Sequence, residues 1–287
     1  MIHSMLRRVI RSKRVQRTAL ASGALEEIAR PYVAGVVPTT AVETGLDLRS
    51  KGLELGYTYL PTSESEAESP AALQELLANL GDDARGVELS VKPSQLGIRT
   101  LADDAAAVGA LVTLEMQGAA QYSDTLRLWR EVHADHPDLG LTLPVDIRRA
   151  ERDVQHLLDD SPRLRLCIGS YPVPRPLGYN NEHLKSKALV RCLRLAMEGG
   201  ARTMLASHDP RIIAIAQELG RRNPVADIEF QMFYGVRPLE QRRLADIGQR
   251  SRVILPYGPG WYEYLLTRVA RRPQTAWGYL RAVLDKR

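Results

Sequence analysis

Residues 252–273 read R-V-I-L-P-Y-G-P-G-W-Y-E-Y-L-L-T-R-V-A-R-R-P. A short apolar run comes first, a turn rich in glycine and proline follows, and a segment with the spacing of an amphipathic helix completes the unit. Tyr264 and Arg268 are four residues apart in this helix, so their side chains share one face. A phenol and a permanent positive charge beside a tight turn suit an anionic small molecule. The segment therefore predicts a strand, a helix and part of a binding site.

The same strand–turn–helix rhythm extends back through the chain. Short β-rich runs occupy residues 53–59, 87–92, 110–116, 140–145, 164–169, 202–207, 227–233 and 252–256. Helical segments lie between them at residues 71–80, 123–134, 148–158, 181–198, 210–220 and 238–248. Strands that alternate with helices favour parallel βαβ units, and eight such units fit a closed barrel better than an open sheet. We therefore expect an α/β fold, a (β/α)8 TIM-like barrel over residues 35–287, preceded by an N-terminal helical arm over residues 1–34.

A doubly wound open sheet is the alternative architecture, and it would place a glycine-rich turn after its first strand. The chain contains neither G-x-G-x-x-G nor G-x-x-x-x-G-K-[ST], which weakens the hypotheses of a nicotinamide dehydrogenase and a P-loop nucleotidase. It also lacks H-E-x-x-H and G-x-S-x-G, so a zinc protease and an α/β-hydrolase have no support. The two cysteines, Cys167 and Cys192, suit buried thiols in a reducing cytoplasm rather than a disulfide framework or a metal site.

Positive charge is concentrated at the start of the chain. The net charge is +5, and the first 17 residues contain six basic residues and no acidic one: Arg7, Arg8, Arg11, Lys13, Arg14 and Arg17. Such a segment fits a helix with a solvated basic face, a contact with anionic lipid, or a targeting peptide. No segment reaches the roughly 18 consecutive apolar residues of a membrane span, and no aromatic-plus-basic motif indicates nucleic-acid binding. We expect a cytoplasmic protein with at most peripheral contact at the inner face of the membrane.

Polar residues at the carboxyl ends of the candidate strands are the first candidates for a site, because active sites of barrels lie at that end. Lys92 closes the second strand, and Glu115 lies within the third, where a carboxylate needs a partner. Lys92 is the natural partner of Glu115, either in a structural ion pair or in a pair that faces a ligand. Arg165 lies between two leucines in the fifth strand, so its side chain must point inward or into a polar seam.

The loops after the later strands add further candidates. Gly169 and Ser170 can offer backbone N–H groups to an anion, and Tyr171 adds a ring and a hydroxyl. His208 closes the sixth strand, either as a hydrogen-bonded structural group or as a catalyst. Tyr234 begins the loop after the seventh strand.

These segments resemble motifs of the proline dehydrogenase family. Seven motifs occur in the family's order over about residues 32–280, beginning with a barrel entry at residues 32–35 and 52–60. The next five are S-V-K-P-S-Q-L-G (family S-V-K-L-S-A-L), L-E-M-Q (I-D-A-E or I-D-M-E), R-L-C-I-G-S-Y (R-L-V-K-G-A-Y), A-S-H-D (A-T-H-N or A-T-H-D) and E-F-Q-M-F-Y-G (F-E-F-Q-M-L-Y-G). The last is V-I-L-P-Y-G-P-G-W-Y-E-Y-L-L-T-R, which resembles V-Y-V-P-Y-G-x-x-W-Y-P-Y-L-x-R-R.

The resemblance implies a (β/α)8 oxidoreductase that binds FAD noncovalently. Such an enzyme removes a hydride from the ring carbon beside the nitrogen of proline, gives an imine, and passes electrons onward to a quinone. Carried over residue by residue, the resemblance implies four catalytic residues: Lys92, Arg165, Tyr264 and Arg268. The implied contacts to the amino-acid substrate are Lys92, Glu115, Tyr234, Tyr264 and Arg268. The implied contacts to FAD are Arg165, Gly169, Ser170, Tyr171, Ser207 and His208.

The chain departs from the family's motifs at several of these positions. Pro144 stands where the family has a glutamine that contacts the flavin, and Ile168 stands where it has a lysine near the FAD phosphates. Thr267 replaces the first arginine of a pair, and Glu115 replaces an aspartate. Two alternatives therefore stay open: a barrel that has lost FAD and acts as a noncatalytic ligand-binding or regulatory protein, and a flavin-free lyase or isomerase.

Overall fold

The computed structural model describes residues 29–62, 69–93 and 97–265, and within them lies a closed barrel of eight parallel strands. The strands are β1 (Glu54–Tyr59), β2 (Glu88–Val91), β3 (Leu111–Leu114), β4 (Gly140–Pro144), β5 (Arg163–Cys167), β6 (Arg202–Ala206), β7 (Ile228–Phe233) and β8 (Arg250–Tyr257). Each strand pairs with the next one along the chain, and β8 closes the ring by pairing with β1. All eight predicted strands and the (β/α)8 architecture are confirmed.

Helices cover the outside of the barrel. They are α1 (Pro38–Arg49), α2 (Ser69–Leu80), α3 (Ile98–Ala107), α4 (Tyr122–His133), α5 (Ala150–Leu157), α6 (Glu182–Glu198), α7 (Pro210–Arg222) and α8 (Pro238–Asp246). Six of the eight match predicted helices, whereas α1 and α3 were not predicted. The buried face of α1 includes Gly45, and a Cβ on Gly45 would come within 1.9 Å of the Tyr57 hydroxyl. Small residues on the buried faces of α1 and α3 weaken the apolar periodicity that reveals a helix.

The two faces of the strands differ in chemistry, because side chains alternate along each strand. The face toward the helices is apolar and buried, and includes Leu55, Leu89, Val112, Leu141, Leu164, Leu205, Phe230 and Val253. The face toward the barrel axis carries charged and polar residues, namely Glu54, Glu88, Arg163, Arg165, Glu229, Gln231 and Arg252. The main apolar core of the protein is therefore the layer between strands and helices, and the barrel interior holds the buried charges.

The charged residues inside the barrel and Gln231 form one connected network. Glu88 is fully buried and forms an ion pair with Arg165. Glu229 is equally inaccessible and pairs with Arg252 at 2.6 Å. The Gln231 amide donates to Glu229 Oε1 at 2.6 Å and to Glu88 Oε1 at 3.2 Å, and so joins the two ion pairs. Each buried carboxylate thus has both a cationic partner and further hydrogen bonds, as burial of charge requires.

Acid is expected to destabilise the barrel through Glu88. Burial alone would raise the pKa of the Glu88 carboxyl, but the guanidinium groups of Arg165, Arg163 and Arg252 outweigh burial and lower this pKa from 4.5 to about 2. A pKa that is lower in the folded than in the unfolded state stabilises the fold fully above the unfolded value, and this stability is lost as the pH falls toward the folded value. The free energy of unfolding, measured by urea titration, is therefore expected to fall between pH 4.5 and about pH 2. Because glutamine cannot titrate, a Glu88→Gln variant should show a shallower fall; an equal fall in both proteins would exclude Glu88 as the cause.

Residues 29–34 are the part of the predicted N-terminal arm that lies within the described residues. Val33 shares a small buried apolar cluster with Trp261 and Tyr262. The Ala34 N–H donates to the Pro256 carbonyl at 2.8 Å. The chain therefore enters the barrel beside the carboxyl end of β8. The basic segment lies outside the described residues, so its role and the domain boundary stay predictions.

Not one helix among the described residues has both the length and the apolar character needed to cross a bilayer.

Candidate active site

The carboxyl ends of the strands meet at one end of the barrel, because all eight strands are parallel. We refer to this end, formed by the residues that directly follow each strand, as the barrel mouth. Lys92 follows β2, Glu115 follows β3, and Ser207 and His208 follow β6. Gly169 lies two residues beyond the end of β5. The structure thus brings together site candidates that are far apart in the sequence.

Glu115 is bound by a hydroxyl at the mouth. The Thr58 Oγ1 donates to Glu115 Oε1 at 3.2 Å. The ion pairs among residues 29–62, 69–93 and 97–265 include none between Lys92 and Glu115, so the expected pairing of these two residues was wrong. A lysine side chain has four rotatable carbon–carbon bonds, and its position at a strand end does not fix where its ammonium group lies. Lys92 itself is half-buried.

Arg165 lies inside the barrel, as its alternation with leucines predicted. It is buried, its Nε donates to Gln231 Oε1 at 2.6 Å, and its Nη2 forms the ion pair with Glu88. Its third nitrogen, Nη1, makes no hydrogen bond with any residue of the described part of the chain. Gln231 and Glu88 therefore bind two of the three guanidinium nitrogens from inside the barrel. These bonds hold the guanidinium in one orientation beneath the mouth.

An aromatic row crosses the mouth from β6 to the helix that begins after β8. The Phe233 N–H donates to His208 Nε2 at 3.1 Å, so the Nε2 carries no proton in this arrangement. The His208 and Phe233 rings stack with centroids 5.8 Å apart, and the Phe233 and Tyr264 rings are 6.5 Å apart at 58°. His208 is thus a hydrogen-bonded group that positions Phe233, and Phe233 in turn contacts Tyr264. The predicted contact of His208 with FAD stays a prediction.

Ser207 serves the local structure of the loop after β6. The Asp209 N–H donates to Ser207 Oγ at 3.2 Å, and Asp209 Oδ1 accepts the Arg211 N–H at 2.9 Å at the start of α7. Asp209 is therefore the N-cap of α7, a position that aspartate favours. The Ser207 hydroxyl supports the turn into this cap, and its predicted cofactor contact is not tested by these bonds.

Tyr234 lies on the wrong face for the role that the sequence suggested. Gln231 and Phe233 point toward the barrel axis, so alternation puts Tyr234 on the opposite face. Its ring is half-buried against the apolar layer between strands and helices. Burial there raises the pKa of its hydroxyl. This placement contradicts the predicted substrate contact of Tyr234.

The loops after β4 and β5 meet at one side of the mouth. Asp146 lies in the first loop, is 3% exposed, and accepts the Gly169 N–H through Oδ1 at 2.7 Å. Ser170 and Tyr171, in the second loop, are exposed at the surface. Ile168 is half-buried and packs against the apolar layer outside the barrel.

Two further predictions from the sequence concern Arg268 and the cysteines. Arg268 lies outside the described residues, so its side chain has no structural account. Cys167 and Cys192 are both free thiols; Cys192 is buried, whereas Cys167 is only half-buried. In the described part of the chain, no group of three or more His, Cys, Asp or Glu residues is arranged to hold a metal ion.

Sequence reasoning missed two residues that shape this site. Glu88 anchors Arg165, and a signal for it existed: Glu88, Ser90 and Lys92 alternate with apolar residues, which indicates a polar inward face of β2. Asp146 had no such signal, because its partner is a backbone N–H in another loop.

No family profile matches this chain, but several known proteins are similar to it. It is 30% identical to "Proline dehydrogenase 1" of Bacillus subtilis (strain 168) over 275 residues, which cover 90% of this chain and 91% of that protein. It is 31% identical to "Proline dehydrogenase" of Deinococcus radiodurans over 206 residues, 68% of this chain and 63% of that protein.

Among solved structures, the chain is similar to proline utilization A from Bdellovibrio bacteriovorus inactivated by N-propargylglycine. The TM-score is 0.78 at 21% sequence identity, and the match covers 87% of this chain and 34% of that chain. This likeness shows a shared barrel fold.

Proposed function

Because the chain belongs to the proline dehydrogenase family of oxidoreductases, we propose that it oxidises L-proline, or a related cyclic or secondary amine, to the imine with FAD as the hydride acceptor. The observation that carries this proposal is the oriented guanidinium of Arg165 beneath the barrel mouth. A buried cation with one free donor group suits a cofactor ring that gains negative charge when it is reduced.

The donor set beneath the mouth fits the ring of FAD. The Nε and Nη2 of Arg165 are bound by Gln231 and Glu88, and Nη1 has no hydrogen-bond partner among the described residues. This nitrogen is the group that would hold an acceptor atom of the ring. The side of the mouth after β4 and β5 fits less well, since Pro144 has no amide side chain and Ile168 brings no charge.

The proposed substrate contacts lie on other sides of the mouth. Lys92 and Arg268 would bind the carboxylate of the amino acid, and Tyr264 would pack on its ring. The contact between Tyr264 and Phe233 supports this role of Tyr264, because it holds the phenol ring above the end of β7. The role of Arg268 rests on the sequence alone.

The chain's own residues would bind and orient the substrate and stabilise the charge that develops in the reaction. Two cations on the carboxylate and an aromatic ring against the substrate ring hold the carbon beside the nitrogen in one place, which lowers the entropy cost of reaction. Arg165 adds a preorganised positive charge where negative charge develops. FAD, when bound, supplies the acceptor of the hydride. The carbon beside the nitrogen would lose its hydride and the nitrogen would release its proton to water, so that a C=N bond forms and the amine becomes an imine.

A Lys92→Met variant tests the carboxylate contact. Loss of one charge-assisted hydrogen bond is expected to lower kcat/KM for L-proline about 10- to 150-fold, mostly through KM. The matched control is Lys51→Met, because Lys51 is exposed and pairs with Asp47 on α1. Steady-state kinetics with an artificial electron acceptor measure both variants. Equal kcat/KM in wild type and Lys92→Met would remove Lys92 from the substrate site.

The electron acceptor and the membrane contact are also proposals. A quinone would accept electrons from reduced FAD, as the family resemblance implies, and the basic N-terminal segment would bring the chain to an anionic membrane surface. Proline-dependent reduction of a soluble quinone analogue tests the first proposal.

The second candidate is a barrel that has lost FAD and binds a ligand without catalysis. The observation that favours it is the β4–β5 side of the mouth, where Pro144 and the buried Asp146 carboxylate replace the expected polar contacts. An assay of L-proline, D-proline and other cyclic amines with added FAD separates the two candidates. Oxidation of at least one of these amines supports the dehydrogenase, and oxidation of none supports the second candidate.

A further inference from the structure

The loops after β4 and β5 are joined by backbone pairing. Ile147 and Gly178 form an isolated antiparallel bridge. The Arg148 N–H donates to the Leu177 carbonyl at 2.9 Å, and the Arg148 guanidinium lies 4.6 Å from the centre of the Tyr179 ring. We call these two joined loops, residues 145–149 and 168–179, the β4–β5 rim.

Asp146 holds the centre of the β4–β5 rim through two different groups. Its backbone carbonyl accepts the Tyr179 N–H at 2.8 Å, and its carboxylate Oδ1 accepts the Gly169 N–H at 2.7 Å. A Cβ on Gly169 would come within 2.7 Å of Oδ1 and 3.0 Å of the Pro144 Cβ. Gly169 is therefore needed for this close approach, and the rim is tightly packed around the carboxylate.

The Asp146 carboxylate occupies the donor that an anionic ligand would use. Backbone N–H groups in glycine-containing loops bind phosphate and other anions, and Gly169 is a predicted cofactor contact. In this structure the Gly169 N–H is bonded to the carboxylate instead. At the Gly169 N–H the rim thus presents a carboxylate where FAD would need a donor, although Arg148, Arg149 and Arg175 lie elsewhere in the same two loops.

This negative charge is weakly compensated. Asp146 is almost fully inaccessible to water and forms no ion pair with a residue in the described ranges. Burial raises the pKa of the Asp146 carboxyl, and the Gly169 N–H opposes this rise. Lys185 also lowers the pKa of this carboxyl, but the Lys185 ammonium is itself paired with Glu182 at 2.7 Å. A buried carboxylate without a cationic partner repels phosphate groups more strongly than an exposed one.

We propose that Asp146 sets the affinity of this chain for FAD, by occupying the Gly169 N–H and by placing a carboxylate without an ion-pair partner directly beside it. The inference rests on the proposed function, since it assumes that the mouth binds FAD. Asp146 acts on the cofactor through Gly169 and through its field, so it is a positioning residue.

Two variants distinguish the effect of the Asp146 charge on FAD binding from the effect of its hydrogen bond. Asp146→Asn keeps an acceptor oxygen for the Gly169 N–H and removes the charge, and Asp146→Ala removes both. We expect FAD to bind about tenfold more tightly to Asp146→Asn and about 10- to 150-fold more tightly to Asp146→Ala. Asp159→Asn is the matched control, because Asp159 is exposed at the opposite end of the barrel.

The experiment titrates FAD into each flavin-free protein and follows the quenching of flavin fluorescence, with circular dichroism to confirm folding. Tighter binding in both Asp146 variants and unchanged binding in Asp159→Asn is the expected result. Unchanged or weaker binding in folded Asp146→Asn would overturn the inference. Reduction of the bound flavin by L-proline and other cyclic amines is scored separately, so a protein that binds FAD as expected but is reduced by none of them contradicts the proposed function alone.

Discussion

Replacing Arg252 by methionine is expected to lower the free energy of unfolding by about 3–5 kcal/mol, the typical effect of removing one partner of a buried ion pair. Arg252 is 1% exposed and binds Glu229 through Nε at 2.6 Å. Its Nη1 also donates to the carbonyls of Leu55 at 2.6 Å and Gly86 at 2.8 Å. Methionine fills a similar volume but leaves the Glu229 carboxylate and both carbonyls without these donors.

Urea titration of purified protein measures this loss. The control is Arg242→Met, since Arg242 pairs with Asp246 at 2.9 Å on the solvated face of α8 and such pairs contribute about 0–1 kcal/mol. The double variant Glu229→Gln/Arg252→Met is expected to recover part of the loss, because it removes the buried unpaired charge. Equal losses in Arg252→Met and Arg242→Met would mean that the interior network does not hold the barrel together.

Replacing Arg165 by glutamine is expected to lower the rate constant of flavin reduction by L-proline about 100- to 1000-fold, as removal of a preorganised donor does in other enzymes. Glutamine removes the Nη1 group beneath the mouth and the charge that would stabilise the reduced ring. The variant also deprives Glu88 of one of its cationic partners, so some loss of stability accompanies the loss of rate.

Arg163→Gln is the matched control for that stability loss. Arg163 lies on the same strand and the same face, and it pairs with Glu88 at 2.8 Å. It lies two residues further from the mouth, where it also donates to the Asp138 carbonyl at 2.8 Å. Its substitution should weaken the network similarly but change the rate less than about tenfold. Anaerobic stopped-flow measurements on flavin-loaded protein compare the two; equal slowing would assign the effect to the network and not to Arg165.

The strands and most helices could be predicted because their outer faces build the apolar layer and repeat with clear periods. Arg165 could be placed inside the barrel on the same basis, since a charge between two buried leucines has to face the axis. The misplacement of Tyr234 was avoidable, because Glu229, Gln231 and Phe233 already share the inward face of β7. Alternation alone puts Tyr234 on the other side.

Other features of the site were beyond what the sequence can show. The pairing of Thr58 with Glu115 joins side chains 57 positions apart, and strand positions do not choose between a hydroxyl and the Lys92 ammonium as the partner. The hydrogen bond from Gly169 to Asp146 uses a backbone N–H as its donor. Every residue except proline has this group, so the residue types do not indicate the bond. Such contacts depend on how loops close, and loop closure is set by backbone geometry rather than by apolar periodicity.

The central claim is that the barrel mouth oxidises a cyclic amine with FAD. The most direct measurement is the visible absorbance of the purified protein, saturated with FAD and kept without oxygen, before and after addition of L-proline. The proposed function predicts that the flavin bands bleach with L-proline or with a related cyclic amine. A saturated protein whose flavin bands remain after L-proline and every other cyclic amine tested would contradict it.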